Sequence, residues 1–246
     1  MFRYCPFYVV KFTLIVKEFK HNPIELEYNL SAKSTKAGRL YQVPGGNYYP
    51  SMTTVLGWAT KDKIHAWRKA VGAEEANRIS RHACARGNAV HYTAERYLNN
   101  EEGALKENEM PHVVQMWNSM KKILDERVDN IVMQECPLYS DELMLAGRVD
   151  LIAEFDGKLS IIDFKTSSRH KSAEEITGYF LQECGYAVMF EERTGIKIDQ
   201  IVTIMVIEGT EDSKVFIESR DKWVKELKRR RDEYFSYLNR KIKGNE

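Results

Sequence analysis

Apolar and polar residues alternate with a period of two on both sides of Asp156-Gly157. That is the pattern of two half-buried β-strands, and Asp-Gly is the dipeptide that best supports the positive φ angles of a type I′ hairpin turn. With a two-residue turn there, Phe155 faces Lys158, and counting back sets Asp150 directly opposite Asp163. Side chains two apart share a face, so Arg148, Asp150, Glu154, Asp163 and Lys165 are expected to point the same way. Directly opposed carboxylates lie roughly 5 Å apart and repel unless a positive charge sits between them. A divalent cation with oxygen ligands fills that role, with Lys165 beside it.

Elsewhere the pattern is helical or broken by turn residues. Residues 7–19, rich in Val, Ile, Phe and Thr, predict a strand, with 24–30 as its partner. Polar residues 31–38 predict a loop, and Pro44-Gly45-Gly46-Asn47 a hairpin turn between 40–43 and 48–49. Ser51 stands as the N-cap of a helix opening after Pro50. Residues 73–98 and 111–128 carry helical periodicity, and 131–138 predict a strand feeding 145–155. Ser172-Ala173-Glu174-Glu175 is a capping box, opening a helix that ends before Gly195. Residues 198–207 are strongly β-prone, and 220–243 form a long charged helix.

Composition narrows the class. A chain of 246 residues with 43% hydrophobic and 30% charged residues can bury a sizeable core and is not disordered. Its net charge of +1 excludes a global basic field, so nucleic-acid binding must come from local patches. Cys5, Cys84, Cys136 and Cys184 stand far apart with no CxxC pair, which disfavours a disulfide framework and reads as small buried hydrophobes in a reducing compartment. No run reaches the ~20 apolar residues of a membrane span. Lys11 interrupts the opening apolar stretch, so neither a membrane partner nor a signal peptide is expected. A cytoplasmic protein is expected, in the host cytoplasm if phage-encoded.

Several residues are candidates for chemistry. Gly87, His91 and Glu95 fall at i, i+4 and i+8, nearly one face of a helix. Glycine there lets the helix approach a sheet closely, leaving an imidazole nitrogen of His91 free for a metal. His82 has no such context and reads as an ordinary surface or core residue. Ser51, Thr53 and Thr54 crowd hydroxyls at a helix N-terminus suited to phosphate, although a plain cap explains Ser51 as well. Trp58 and Trp67 suit base stacking or a core, and the core reading is preferred. Arg81 and Arg86 read as phosphate contacts or solvated charges, and the polar run Thr166-Ser167-Ser168-Arg169-His170 suits phosphates. Lys228-Arg229-Arg230-Arg231 is the densest basic run, either a solvated face or a source of salt-dependent DNA affinity.

Gly147-Arg148-Val149-Asp150 followed by Asp163-Phe164-Lys165 resembles the GxxD…(D/E)xK signature of the PD-(D/E)xK nuclease superfamily. Pro50-Ser51-Met52-Thr53-Thr54-Val55-Leu56, Gly87-Asn88-Ala89-Val90-His91 and Gln182-Glu183-Cys184-Gly185-Tyr186 (QxxxY) resemble three further motifs of its RecB-like exonuclease branch. That branch includes phage exonucleases and the mitochondrial genome maintenance exonuclease. The resemblance covers residues 45–207, in matching order and spacing.

The resemblance implies an α/β fold with a restriction-endonuclease-like core, a central mixed sheet of about four or five strands flanked by helices. It implies a single nuclease domain, with a β extension over 1–45, a catalytic core over 46–207 and a basic helix over 215–246. One or two Mg²⁺ or Mn²⁺ ions would be held by Asp150, Asp163, the backbone carbonyl of Phe164 and His91. Lys165 would stabilise developing charge, with Glu135 in support; Ser51, Thr53, Thr54, Thr166, Ser167, Gln182 and Tyr186 would lie along the DNA. The implied activity is exonucleolytic hydrolysis of DNA, single-stranded or with an accessible end, to 5′-phosphate products in recombination, repair or phage DNA processing. The alternatives are a structure- or sequence-specific endonuclease on the same core and a non-catalytic DNA-binding module. Some relatives carry an iron–sulfur cluster on one upstream and three C-terminal cysteines; nothing follows Cys184 here, so no cluster is expected. The DxK acid is Asp163 where many relatives have Glu. Protein partners are not readable from the sequence.

Overall fold

The computed structural model describes residues 17–244. Its elements run β1 (Ser31–Thr35), β2 (Gly38–Gln42), β3 (Tyr48–Pro50), α1 (Met52–Trp58), α2 (Lys61–Val71), α3 (Ala73–Leu98), α4 (Pro111–Arg127) and β4 (Val128–Ser140). There follow β5 (Leu145–Phe155), β6 (Lys158–Ser167), α5 (Thr177–Thr194), β7 (Gln200–Ile207), β8 (Ser213–Ser219) and α6 (Val224–Ile242).

Asp156 and Gly157 take φ values of 52° and 74°, the left-handed pair that a type I′ turn demands. The β5–β6 hairpin therefore pairs in the predicted register, from Phe155↔Lys158 to Leu151↔Ile162. It forms the centre of a mixed sheet ordered β4-β5-β6-β7-β8, antiparallel except for the β6–β7 pair. That parallel pair requires a crossover, which α5 supplies.

Both sheet faces are covered by helices. On one, Leu151, Phe155, Ile162 and Val202 pack with Val90 and Leu98 of α3 and Met116 and Leu124 of α4. On the other, Ile152, Ile161, Ile201 and Met205 pack with Met52 of α1, Phe180 and Phe190 of α5, and Leu227 of α6. Burial of these apolar side chains is the main force holding the layers together. The small β1-β2-β3 sheet docks Tyr41 and Val43 on Tyr139 and Ala146 at the end of the β4–β5 pair. Ser51 caps α1 as expected, its Oγ accepting from the Thr54 amide at 3.0 Å. The Ser172 amide donates to Glu175 Oε2 at 2.9 Å, the reciprocal half of the capping box, and a 3₁₀ turn over Glu174–Ile176 precedes α5. Gly195 closes that helix at φ 73°.

Some expectations are corrected. Residues 31–35 are a strand, not a loop: all five are exposed, and pairing with β2 rather than burial makes them one. Residues 24–30 form no strand; the nearby ladder contact is a single bridge, His21 to Ile131. The predicted strand over 7–19 lies mostly outside the described residues. The basic C-terminal helix begins at Val224 rather than near 215, because Ser213–Ser219 is the fifth strand. Trp67 is not core but 37% exposed. Of the cysteines, Cys184 is buried but Cys84 is exposed. No helix of the described residues is long and apolar enough to cross a membrane.

Gly147 sits where β5 passes the buried ring of Tyr186 on α5, and a Cβ there would lie 2.6 Å from Tyr186 Cε1. The ring is 2% exposed and has no room to retreat. Gly147→Ala is therefore expected to cost about 1–3 kcal/mol by overpacking. A urea unfolding midpoint equal to that of the parent would contradict this packing argument.

Candidate active site

The β5–β6 ladder stops one pair short of the two aspartates that the sequence set opposite each other. Beyond Leu151↔Ile162 the strands part, and Asp150 Oδ2 accepts the backbone amide of Phe164 at 2.9 Å. A side chain thus takes the place of a backbone partner, so the two carboxylates are not held as a facing pair and their repulsion is relieved. Asp150 turns toward His91 of α3, whose Nδ1 is 3.5 Å from Oδ2. The imidazole is steadied by an edge-on contact with Phe164, ring centroids 5.9 Å apart.

Glu135 completes this group. It lies on β4 between the pairs Gln134↔Leu151 and Cys136↔Val149, hence across from Asp150. Its φ of 46° is left-handed, unusual for a side-chain-bearing residue within a strand and of the kind stored at functional sites. One ligand atom each from His91, Glu135 and Asp150 lies within 4.8 Å of the others. Burial, then the Asp150 charge, pushes the Glu135 carboxyl up to about 7, with His91 opposing.

Asp163 is held apart from that trio. It is 1% exposed, ion-paired with Lys165, and its Oδ1 accepts from Gln182 Nε2 at 3.1 Å. Burial raises its carboxyl to about 6; Lys165 opposes that shift and Asp150 reinforces it. For Lys165 burial favours the neutral amine, but Asp163 and Asp150 outweigh it and hold the ammonium charged, well above its ordinary range. Its Nζ also stands 5.0 Å from the centre of the Tyr179 ring. Lys165 and Gln182, but not buried Asp163, line a cleft of about 610 Å³ together with Thr53, His91, Glu135 and Asp150, among others.

Two carboxylates and an imidazole converging from three elements form a donor set for a hard or borderline divalent cation. Burial, and after it the Asp150 charge, raises the Glu135 carboxyl, and a divalent cation on these donors would offset both effects. The donors therefore fit the metal that the sequence pattern implied, with Glu135 more central than expected.

Other expected site residues fall into place unevenly. Tyr186 accepts the Gln182 amide on its hydroxyl at 3.4 Å, but it is buried behind Gly147 and offers DNA little surface. The Ser51 hydroxyl is engaged by Thr53, Thr54 and the cap, and Thr54 Oγ1 accepts from the Arg39 amide, leaving Thr53 as the exposed hydroxyl. Ser167 is corrected: it is buried, with Oγ donating to the Arg169 carbonyl in a turn that ends β6. Thr166 Oγ1 accepts from Arg86 Nε at 3.4 Å. Arg86 is itself buried and paired with Glu208, so it does not meet solvent phosphate freely, whereas His82, which also reaches Glu208, is exposed. A Cβ on Gly87 would meet only Thr166 Oγ1 at 3.6 Å, an ordinary contact, so close approach does not demand glycine there. Arg148 is half exposed in the cleft, 4.0 Å from Glu135, while Glu154 is bonded to Asn130 on the far part of the hairpin.

Glu183 escaped the sequence reading. It is fully buried, accepts the Thr203 hydroxyl, and burial followed by the Asp163 charge holds its carboxyl well above the usual range. The signal that could have found it was its place on the apolar stripe Phe180, Ala187 and Phe190 of α5.

A family model described as the PD-(D/E)XK nuclease superfamily matches residues 63–243. Among solved structures, SSO0001 is similar over 61% of this chain and 71% of its own, at 12% identity and a TM-score of 0.31. No curated protein matches the sequence significantly. The family match spans well over half of the chain and includes Asp150, the Asp163-Phe164-Lys165 run and α5, set on a five-stranded mixed sheet flanked by helices. The chain therefore belongs to the PD-(D/E)XK nuclease superfamily, whose members are nucleases that generally use divalent metals.

Proposed function

We propose that the protein is a metal-dependent DNA exonuclease. The observation that carries this reading is the convergence of His91, Glu135 and Asp150 within 4.8 Å beside the charged Lys165. His91, Glu135 and Asp150, joined by Asp163 and the carbonyl of Phe164, would hold Mg²⁺ or Mn²⁺. When bound, the cation supplies Lewis-acid stabilisation of phosphoryl oxygens and a more acidic attacking water. Lys165 keeps its proton at neutral pH, so it serves as a fixed positive charge against the pentacovalent phosphorus and not as a general base. Gln182 orients Asp163, and Asp163 in turn anchors Lys165. Water attacking in line with the P–O3′ bond leaves a 5′-phosphate and a 3′-hydroxyl. The end-processing choice is supported by the His91 and Gln182–Tyr186 motifs, which match the exonuclease branch in order and spacing.

Three outcomes are expected. Linear DNA is degraded with Mg²⁺ or Mn²⁺ while covalently closed circles persist, and Asp163→Ala or chelator abolishes the loss. Cutting of closed circles would instead make the enzyme an endonuclease, and no cleavage of any substrate would leave only a binding module.

Lys165→Gln should lower kcat by about 10²–10³, the usual cost of one transition-state stabiliser, with DNA affinity retained. A parallel fall in affinity would assign Lys165 to substrate binding.

The third concerns pH. Glu135 and Asp163 have folded-state values raised to about 7 and about 6. Their contribution to stability is therefore complete below the unfolded carboxylate range and lost as pH rises through those values. Metal binding needs both ionised and must release their protons. Calorimetric titration with Mn²⁺ near pH 6 in buffers of different ionisation enthalpy should show proton release that fades above pH 8. A buffer-independent heat would exclude this coupling.

A further inference from the structure

A second concavity, of about 430 Å³, lies between α1–α2 and α6. Its floor is aromatic and apolar: Trp58 is tilted over Tyr237, centroids 5.2 Å apart, next to Ile64, which is 49% exposed. Its rim carries Lys36, Lys61, Arg68 and Lys241, with no Asp or Glu among the lining residues. Among the described residues none of these four cations is in a salt bridge; Arg68 donates only to the neutral Asn77 Oδ1. The dense basic run of α6 is different. Lys228 pairs with Glu142, Arg229 with Glu226 and Glu233, Arg230 with Glu226, and Arg231 with Asp232. The uncompensated positive charge of this region therefore lies in the groove rather than in the run that the sequence made conspicuous.

The groove adjoins the active-site cleft across a wall one residue thick on each side. Arg39 and Thr53 face the cleft, while their neighbours Gly38 and Thr54 line the groove. The wall is locked by the Arg39 amide donating to Thr54 Oγ1 at 3.0 Å and the Ser51 amide donating to the Arg39 carbonyl at 2.9 Å. Thr53 stands on the cleft side of this wall and Trp58 on the groove side. The helix that forms the far bank, α2, buries none of its residues, so its cationic and apolar side chains are presented to solvent.

We propose that this groove carries the single-stranded DNA segment adjoining the nucleotide at the active site. Bases would stack on the Trp58–Tyr237 floor and phosphates would meet Lys36, Lys61, Arg68 and Lys241. The inference rests on the nuclease reading and adds a substrate path to it. An aromatic floor with a cationic rim selects single strands, because bases offer their faces for stacking only when unpaired from a continuous duplex stack.

The test is fluorescence anisotropy of labelled oligodeoxythymidylates with the full chain in excess chelator, so that nothing is cut. Lys61→Glu with Arg68→Glu, both on an exposed helix, should weaken binding of an oligomer of about 16 nucleotides at least tenfold while sparing one of about 4, the ends of the range of single-strand site sizes. The slope of log K against log salt should fall by about 1.4, at about 0.7 for each phosphate no longer neutralised. Arg229→Ala should change neither. Unchanged affinity for the long oligomer, or equal weakening for both lengths, overturns the groove path and leaves the nuclease reading intact. Absence of DNA binding by the unsubstituted chain overturns the groove path, while the nuclease reading stands or falls on cleavage of linear DNA with Mn²⁺. Binding of polyglutamate that the double variant abolishes, with DNA affinity untouched, would give the groove to an acidic protein instead.

Discussion

The parting of β5 and β6 at Asp150 is the constraint on which the rest of the site depends. Asp156-Gly157 fixes the register, so the ladder cannot slip to avoid bringing two aspartates together. The strands instead diverge, and the Asp150 carboxylate takes the Phe164 amide that a backbone carbonyl would otherwise have taken. Satisfying a buried N–H with a carboxylate is a charge-assisted bond of the stronger kind. The same oxygen, Oδ2, also lies 3.5 Å from His91 Nδ1. Across β5, Glu135 stands opposite Asp150 with its left-handed φ, at the position between the pairs Gln134↔Leu151 and Cys136↔Val149.

Next to that opening, the buried Asp163, Glu183 and Thr203 meet the partly buried Lys165 and Gln182 of the cleft wall. Asp163, Lys165, Gln182, Glu183 and Thr203 are linked across β6, α5 and β7 by one ion pair and two side-chain hydrogen bonds. Burying three such ionisable groups costs stability unless they are paired, and replacing them by apolar residues of equal volume often stabilises a fold. Their orientation explains their presence better than their energy does. Gln182 takes one oxygen of Asp163 and Lys165 the other, and Thr203 engages Glu183, which fixes the orientation of both carboxylates. The rigidity comes from the surrounding apolar layers, which include the fully buried Phe180 and Phe190 of the same helix.

Local chemistry made much of this legible in sequence, and long-range pairing made the rest opaque. The Asp156-Gly157 turn, the Ser51 cap and the Gly195 terminus are decided within a few residues, and each formed where it was expected; of the Ser172 capping box only the Glu175 half formed, opening a 3₁₀ turn before α5. β1 could not be found because all of its residues are exposed and its only support is a partner strand. β8, an edge strand bearing Lys214 and Glu218, lacks the uninterrupted apolar character of β7. Within the site, spacing located Asp150, Asp163, Lys165 and His91. It could not say that Glu135 joins the trio, because that depends on a left-handed backbone at a strand residue, nor that Ser167 turns inward to end its strand. Arg86 showed the same limit: its partner Glu208 is remote in sequence and comes to it only through the β6–β7 pairing.

Charge illustrates the difference between what a sequence counts and what a surface offers. Residues 228–231 form the densest cationic run, yet helical spacing sets Glu226 and Glu233 within about one turn of Arg229, and the fold brings Glu142 to Lys228. Exposed pairs of this sort contribute little to stability, but they cancel the field that an approaching phosphate would feel. Lys36, Lys61, Arg68 and Lys241 are scattered in sequence; folding gathers them around an aromatic floor and brings no carboxylate among them. The cleft beside them is of mixed sign, with Glu95, Glu135 and Asp150 sharing its walls with Arg39, Arg148 and Lys165. The groove carries cations alone, so a polyanion is drawn most strongly to the surface adjoining the site, a distribution that net charge alone could never have shown.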